Sequence, residues 1–124
     1  MAALSDFAEN KIIDFLFRGQ ALGITGASAA AGTGPTNIYV ALYTANPTDS
    51  TSGTEVTGGS YARVTVASSL ANWAGTQGAG TTTASSGNTG TTSNNNAITF
   101  PAPTANWGVI TGAALCDASS GGNI

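Results

Sequence analysis

The chain has 124 residues, of which only 7% are charged: three are Lys or Arg, six are Asp or Glu, and none is His. So few basic residues cannot line a phosphate-tracking groove, so we expect no nucleic-acid binding, and the absence of His removes the commonest general base and metal ligand. No run of about eighteen apolar residues could span a membrane, and acidic residues come too early for a secretory signal. We therefore expect a non-enzymatic protein of one domain, without a cofactor, made in the cytoplasm and not secreted.

The few charges are unevenly placed, because most of them fall within the first eighteen residues. The surface of the remaining chain must therefore consist mainly of Thr, Ser, Asn, Gly and Ala. A freely dispersed protein normally keeps a surface of mixed charges. This composition favours a surface that is packed in an assembly.

The first segment predicts an α-helix with recognisable ends. Asp6 is expected to cap the first turn, with Glu9 three residues later in capping-box spacing. Asp14 and Arg18 stand four residues apart in the order that favours an ion pair, and Gly19 is expected to end the helix.

Two sets of apolar residues lie on different sides of this helix. At about 100° per residue, one stripe is expected to cover the core; it consists of Leu4, Ala8, Ile12, Phe15 and Leu16. Ile13 and Phe17 fall on the side of Glu9 and Asn10. A helix that only covers its own core does not need this second pair, so we predict that Ile13, Phe17 and also Phe7 contribute to a subunit interface. The alternative is a helix sunk deeply in a single domain.

Four strands separated by turns are predicted after a Gly/Ala-rich linker. Their sequences are "NIYVALYT", "YARVTVAS", "NAITFPAP" and "NWGVITGAALCDA". The first is apolar on both faces, which predicts a strand covered on both sides. Tyr39 and Tyr43 on this strand, and Trp107 at the start of the fourth, are further interface candidates.

The fourth predicted strand has one face of small residues against which another chain could lie closely. Cys116 on this face is expected to be a small buried hydrophobic residue. The turn that begins at Asp117 predicts a hairpin whose return strand starts at Asn123. The second arm of this hairpin is then either missing from the chain or supplied by a neighbour, since an unpaired edge attracts other chains.

The segment 75–96, "GTQGAGTTTASSGNTGTTSNNN", has no charge, no aromatic residue and no branched aliphatic residue. Ordering it costs roughly 1–2 kcal/mol of backbone entropy per residue, and it has no apolar side chains with which to form a core. We interpret it as an extended arm that lies across neighbouring subunits, where its backbone joins another sheet edge. The alternative is a mobile loop.

Neither catalysis nor metal binding is indicated by the remaining polar residues. Asp49 and Glu55 lie in a turn region without the dense spacing of a calcium loop. The two Trp residues leave one alternative open, since an exposed indole can stack on a sugar ring. Trp73 is the candidate for this glycan contact, whereas Trp107 is better placed as a core or interface anchor.

These elements together predict a mainly β fold, an antiparallel β-sandwich or small barrel with one N-terminal helix and long polar loops. The expected division is a helix over 4–19, a linker over 20–36 and a β-rich body over 37–124, within one domain.

Four blocks of the sequence resemble a group of small structural proteins of tailed bacteriophages, commonly labelled tail fibre or minor virion proteins. The blocks are "LSDFAENKIIDFLFRG", "IYVALYTANPTD", "GTEVTGGSYARVTV" and "ITFPAPTANWGVITGAALCDASSGGNI". The resemblance implies a non-catalytic, self-associating, β-rich component of the virion. The chain departs from the group's pattern in a longer linker, in the low-complexity segment and in the missing continuation after "GGN".

From the residues and the resemblance we expect a structural protein of the phage particle, either of tail-fibre type or a capsid decoration (cement) protein. Its expected partners are copies of itself, most plausibly in a trimer, and other virion proteins. A carbohydrate-binding module that contacts a host-surface glycan is the alternative.

Overall fold

The structure is a computed structural model that describes residues 4–23 and 34–123. The chain divides into two compact units: the first consists of Met1–Asn37 with Ala67–Ala97, and the second of Ile38–Val66 with Ile98–Ile124. The linker predicted for 20–36 lies partly outside the described residues. The expected division into helix, linker and β-rich body stays a prediction.

One helix and four strands make up the regular structure of the described residues. In chain order they are α1 (Asp6–Arg18), β1 (Asn37–Ala45), β2 (Thr54–Glu55), β3 (Val64–Ala67) and β4 (Gly112–Cys116). The predicted helix is confirmed, and so is its end at Gly19, which adopts the left-handed conformation with φ 66°. The predicted cap at Asp6 is wrong. Ser5 is the N-cap, because its backbone is extended and its hydroxyl accepts a hydrogen bond from the amide of Ala8 at 3.3 Å.

The side of α1 that faces the chain is the opposite of the one expected from the apolar stripe. Ile13, Asp14 and Arg18 are buried, whereas Leu4 and Leu16 of the stripe are exposed. Hydrophobicity alone assigned the stripe to the core. The other side is buried instead because its polar side chains find hydrogen-bond partners within the first unit.

The strands form an antiparallel open sheet, which confirms the predicted mainly β class with one helix. β1 is the central strand; β2 and β3 are its neighbours along the path β2-β1-β3, and β4 also pairs with β1. The register of β1 and β4 runs from Tyr39 opposite Cys116 to Tyr43 opposite Gly112. A second layer of a sandwich, or closure into a barrel, stays a prediction.

The core of the second unit lies on one face of the paired strands β1 and β4. Ala41, Tyr43 and Cys116 are buried together, and Tyr39 and Ala114 pack against them. The small residues of β4 lie beside Tyr39 and Tyr43 on one face of the same sheet, and the expectation that another chain lies against this face stays a prediction. The predicted burial of Cys116 is confirmed, since only 2% of it is exposed.

Three of the strand predictions differ from the structure in extent. The second predicted strand is regular only over Val64–Ala67, and the fourth only over Gly112–Cys116. The third, at residues 96–103, is not a strand, consistent with Pro101 and Pro103 lacking the N–H groups that a ladder needs. β2 lies inside a segment that was predicted to be a turn region.

Candidate interaction surfaces

Arg18, at the last turn of α1, is fully buried in the first unit. Its guanidinium donates five hydrogen bonds, and such a fork of planar donors suits several oxygen acceptors at once. The acceptors are Asp14 Oδ1 at 2.6 Å, Ser85 Oγ at 3.1 Å, and the carbonyl oxygens of Trp73 at 3.1 Å, Thr81 at 3.1 Å and Thr83 at 2.6 Å. The predicted Asp14–Arg18 pair is thus confirmed, but as a buried ion pair and not as a surface one.

The carboxylate of Asp14 joins the same network from the other side. It accepts hydrogen bonds from the backbone amide of Ser85 at 2.8 Å and from its hydroxyl at 2.6 Å. One turn earlier on α1, Asn10 accepts from the hydroxyl of Thr76 and donates to the carbonyl of Gly87 at 3.0 Å. Three polar residues on one side of the helix therefore hold the low-complexity segment.

Gly87 is required where this segment passes itself closely. Its amide donates to Thr76 Oγ1 at 2.8 Å, and a Cβ at position 87 would collide with the carbonyl of Thr76. A residue without a side chain permits this approach.

These contacts hold the segment 75–96 on the helix of its own chain. The ordering cost is offset by hydrogen bonds to buried charged groups, each worth about 1.5–3 kcal/mol. The expectation counted only apolar burial and did not include these hydrogen bonds within the chain. The arm across neighbouring subunits and the mobile loop both stay predictions.

Trp73 lies inside the first unit, beside the helix residue that was expected at an interface. It is 4% exposed, and its ring is 5.2 Å from that of Phe17, at an interplanar angle of 53°. Its indole Nε1 has no hydrogen-bond partner among the described residues. In this conformation Trp73 offers no ring face to a sugar, and Phe17 and the buried Ile13 are both packed within the chain.

The outer face of α1, defined as Leu4, Phe7, Ile12 and Leu16, carries the exposed large apolar side chains of the described part of the first unit. Leu4 and Phe7 are 57% and 58% exposed, and Ile12 and Leu16 are each 39% exposed. Ile12 and Leu16 are turned away from Asp14 and Arg18 on the helix circumference, whereas Phe7 lies on the same side as these two residues in the first turns and Leu4 precedes the helix. The interface predicted at Phe7 stays a prediction, and its side chain is accessible.

Glu55, Tyr61 and Arg63 form a polar cluster in the second unit. The guanidinium of Arg63 donates to Glu55 Oε1 at 2.8 Å and to Oε2 at 2.7 Å. Its third nitrogen donates to the carbonyls of Ala118 at 2.7 Å and Gly121 at 2.9 Å, so it also fixes the turn after β4.

The electrostatics of this cluster follow from its pairing. The hydrogen bonds from Arg63 hold the pKa of the Glu55 carboxyl below its usual range, and they raise the pKa of Arg63 itself. Burial raises the pKa of Tyr61 to about 12, and its hydroxyl donates to Glu55 at 2.9 Å and accepts from the amide of Leu42 at 2.9 Å. All three side chains are thus engaged in structural hydrogen bonds.

A surface groove of ≈ 460 Å³ runs beside the cluster, lined among others by Thr57, Tyr61 and Ser119. Burial raises the pKa of the Cys116 thiol, which disfavours the reactive thiolate. No group of acidic or Cys residues with the arrangement of a metal site occurs in the ranges 4–23 and 34–123.

The aromatic candidates of the second unit are engaged to different degrees. Tyr43 is 2% exposed, and Tyr39 packs against the same core. Trp107 is half-buried, donates from Nε1 to the carbonyl of Gly59 at 2.9 Å and meets the ring of Tyr61 edge-on at 5.5 Å. Their role in an interface stays a prediction.

Three exposed apolar residues near β4 were not singled out from the sequence. Val109 is 79% exposed, and Ile110 and Leu115 are each 40% exposed. Along the described chain β4 pairs only with β1, so its other edge is open. Alternation along the fourth predicted strand distinguishes its face of small residues from the other face, but it does not show which face is covered.

Glu55→Gln should flatten the pH dependence of stability in the acid range. A carboxyl whose pKa is lowered on folding stabilises the protein above its unfolded pKa, and this contribution is lost as the pH falls through the folded pKa. We expect the free energy of unfolding of the variant to be about 2 kcal/mol lower near pH 7, because Arg63 is left without its carboxylate. Between pH 5 and pH 2 this free energy should fall less in the variant than in the unchanged protein. Urea unfolding over this range measures it.

Asp117 provides the matched control. Its pKa is also lowered, by hydrogen bonds from Asn123, so Asp117→Asn should remove a separate part of the acid dependence. An acid slope that stays unchanged in Glu55→Gln would contradict the assigned role of Glu55.

Comparison with known proteins gives one result. A family model described as "Podophage GP4 fiber I protein gp80" matches residues 3–124. No curated protein and no solved structure gives a significant match. Within the part of the chain that the structure describes, no helix is long and apolar enough to cross a membrane.

Proposed function

The chain belongs to the family of the podophage GP4 fiber I protein gp80, a fibre protein of tailed phages, and we propose that it works there as a non-enzymatic structural subunit. It acts by associating with copies of itself and with other proteins of the virion. The description of the family as a fibre protein favours the fibre over a capsid decoration protein. A symmetric homo-oligomer, with three copies as the first expectation, is part of this proposal.

The outer face of α1 is the observation that carries the proposal. Leaving a Leu or Ile side chain in water forgoes about 1.5–3 kcal/mol relative to full burial. Here Ile12 and Leu16 are neighbours on a helix whose opposite side is already packed, and Phe7 and Leu4 add exposed apolar side chains towards its N-terminus. A contiguous apolar face of this kind typically marks a protein–protein contact.

The polar groups support a structural role in a second way. The buried charges at Asp14 and Arg18 bind the segment 75–96, and Glu55 with Arg63 binds the turn after β4. In each case the side chains hold backbone in place. Their hydrogen-bonding capacity is used for order within the chain, which is what a fibre component requires.

Incorporation into phage particles tests the proposal. We expect a variant with both Ile12→Asn and Leu16→Asn to be depleted at least about tenfold from purified particles, because two buried apolar contacts are lost. The amount of the protein per particle is measured by quantitative mass spectrometry. Antibody labelling in electron micrographs of unchanged particles should place the protein on fibres.

Leu115→Asn is the matched control, since it removes an equally exposed apolar side chain from the second unit. It should be incorporated normally if the outer face of α1 makes the contact. Absence of the unchanged protein from particles would overturn the structural role. Normal incorporation of the Ile12 and Leu16 variant would show that another surface makes the contact.

A further inference from the structure

We propose that the outer face of α1 packs against the same face of neighbouring copies with the helices parallel, so that Lys11 of one copy lies beside Glu9 of the next. This inference rests on the self-association in the proposed function. It adds the partner, the orientation and the two residues that select it.

The apolar residues of the exposed side follow the spacing of a helix-pairing seam. At about 100° per residue, Ala8, Ile12 and Phe15 lie along one line, with steps of four and three residues. Leu16 lies on one shoulder of this line, and Leu4 precedes the helix. Ile12 and Leu16 are each 39% exposed, and Ala8 and Phe15 are half-buried. A partner helix would cover the part of the seam that the chain itself leaves open.

The two charged residues nearest to the seam have opposite signs and lie on opposite shoulders. Lys11 and Glu9 lie about 70° and 90° from the seam, one on either side, and the Glu9 carboxylate also lies against Gly90 of the segment 75–96, where a Cβ would collide with it. Neither takes part in an ion pair or a side-chain hydrogen bond with any residue in 4–23 or 34–123, where the two ion pairs are Asp14–Arg18 and Glu55–Arg63. The Nζ atom of Lys11 lies 5.9 Å from the ring centre of Phe7.

This arrangement of charges distinguishes between the two orientations of a helix pair. In an antiparallel pair each shoulder meets the same shoulder of its partner, which brings Lys11 to Lys11 and Glu9 to Glu9. In a parallel pair the opposite shoulders meet, and each Lys11 lies beside a Glu9. The face is therefore complementary to itself only in the parallel orientation, which favours a second copy as the occupant over an unrelated protein.

The helix is held rigidly enough to present this face. Arg18, Asp14 and Asn10 fix the opposite side to the chain through hydrogen bonds. A surface that is already ordered loses less conformational entropy on binding. Because α1 has only 13 residues, the contact by itself is short, and association should depend strongly on concentration.

Sedimentation of the full chain over a wide concentration range tests the inference. We expect reversible association that Leu16→Asn weakens at least about tenfold. Lys11→Glu alone and Glu9→Lys alone should each weaken it about fivefold, because like charges then meet, and the combined exchange should restore it. Circular dichroism and protection of the segment 75–96 from proteolysis verify that each variant is folded.

Disulfide trapping tests the orientation separately. In a Cys116→Ala background, Ala8→Cys should form a disulfide with itself, since the two Cα atoms must come within about 7 Å. In a mixture of Ala8→Cys and Leu16→Cys chains, a dominant disulfide between the two different positions would indicate antiparallel packing and overturn the inference.

Two further outcomes separate this inference from the function on which it rests. A chain that remains monomeric at every concentration but is still incorporated into particles overturns the helix pairing and leaves the structural role intact. Association that Leu16→Asn and the charge reversals do not change also overturns the pairing. A chain missing from particles overturns the structural role, whatever its association in solution.

Discussion

Arg18→Met should lower the free energy of unfolding by about 3–5 kcal/mol, the usual cost of removing one partner from a buried ion pair. The substitution keeps the apolar length of the side chain but removes all five hydrogen bonds. Asp14, which is 4% exposed, then carries a buried charge without a cation, and the carbonyls of Trp73, Thr81 and Thr83 lose their donor. Urea unfolding of the full chain measures the change.

The segment 75–96 supplies a local readout of the same substitution. Its amide hydrogens, including that of Ser85, should exchange at least about tenfold faster in Arg18→Met, because the segment then opens at a lower free-energy cost. Asp14→Asn combined with Arg18→Met should cost less than the sum of the two single changes. Asp49→Asn, which removes a charge from an exposed turn, is the control and should stay within about 0.5 kcal/mol. Unchanged exchange in Arg18→Met would contradict the role of the guanidinium in holding the segment.

The sequence predicted α1 well but assigned its faces incorrectly. The position of a helix is determined largely by residues within and next to it, here by the left-handed Gly19 at its end and by the spacing of Asp14 and Arg18 in its last turns. The buried side of a helix depends on what packs against it. Here the partner is a chain segment rich in Thr, Ser and Gly, whose carbonyls and hydroxyls satisfy polar side chains. A hydrophobic stripe therefore indicates where burial is favourable, including burial against another molecule.

The strands show a similar division between local and long-range information. β1 was predicted almost to the residue, because a long run of β-branched and aromatic residues is a strong local signal. β2 has only two residues, opposite Tyr43 and Ala45. It forms because the edge of β1 has backbone groups with which it can pair. No pattern within Thr54–Glu55 could have predicted that pairing. The strand predicted at 96–103 failed where Pro101 and Pro103 prevent a continuous ladder.

The polar network was the part least accessible from the sequence. Arg18 and Asp14 have the spacing of an ordinary surface pair, and nothing in their own neighbourhood indicates burial. One feature of the sequence was informative. The chain has only three basic residues, so few of its side chains can donate hydrogen bonds to several carbonyl oxygens at once. A long uncharged polar segment needs donors of this kind if it is to be ordered. The expectation considered only apolar burial and subunit contacts for this segment.

Trp73→Ala should cost about 3–5 kcal/mol of unfolding free energy, whereas Trp73→Phe should cost only about 1 kcal/mol. The first substitution removes a buried ring that packs at 5.2 Å from Phe17 and leaves a cavity. The second keeps an aromatic ring there and removes an indole N–H that has no partner within the described part of the chain. Removing such a group recovers part of its desolvation cost, which offsets the lost volume.

Trp107→Phe is the matched comparison, because the chain has two Trp residues and the indole of Trp107 donates a hydrogen bond to Gly59. The free energy of unfolding of this variant should be about 1 kcal/mol lower, because that hydrogen bond is lost. The variant also leaves Trp73 as the only fluorescent indole. Titration of Trp107→Phe with host-surface polysaccharide should leave the emission of Trp73 unchanged, since a ring that is 4% exposed cannot stack on a sugar. Saturable quenching of Trp73 in the folded variant would instead support the carbohydrate-binding alternative. A loss in Trp73→Ala no larger than in Trp73→Phe would contradict the packing assigned to this ring.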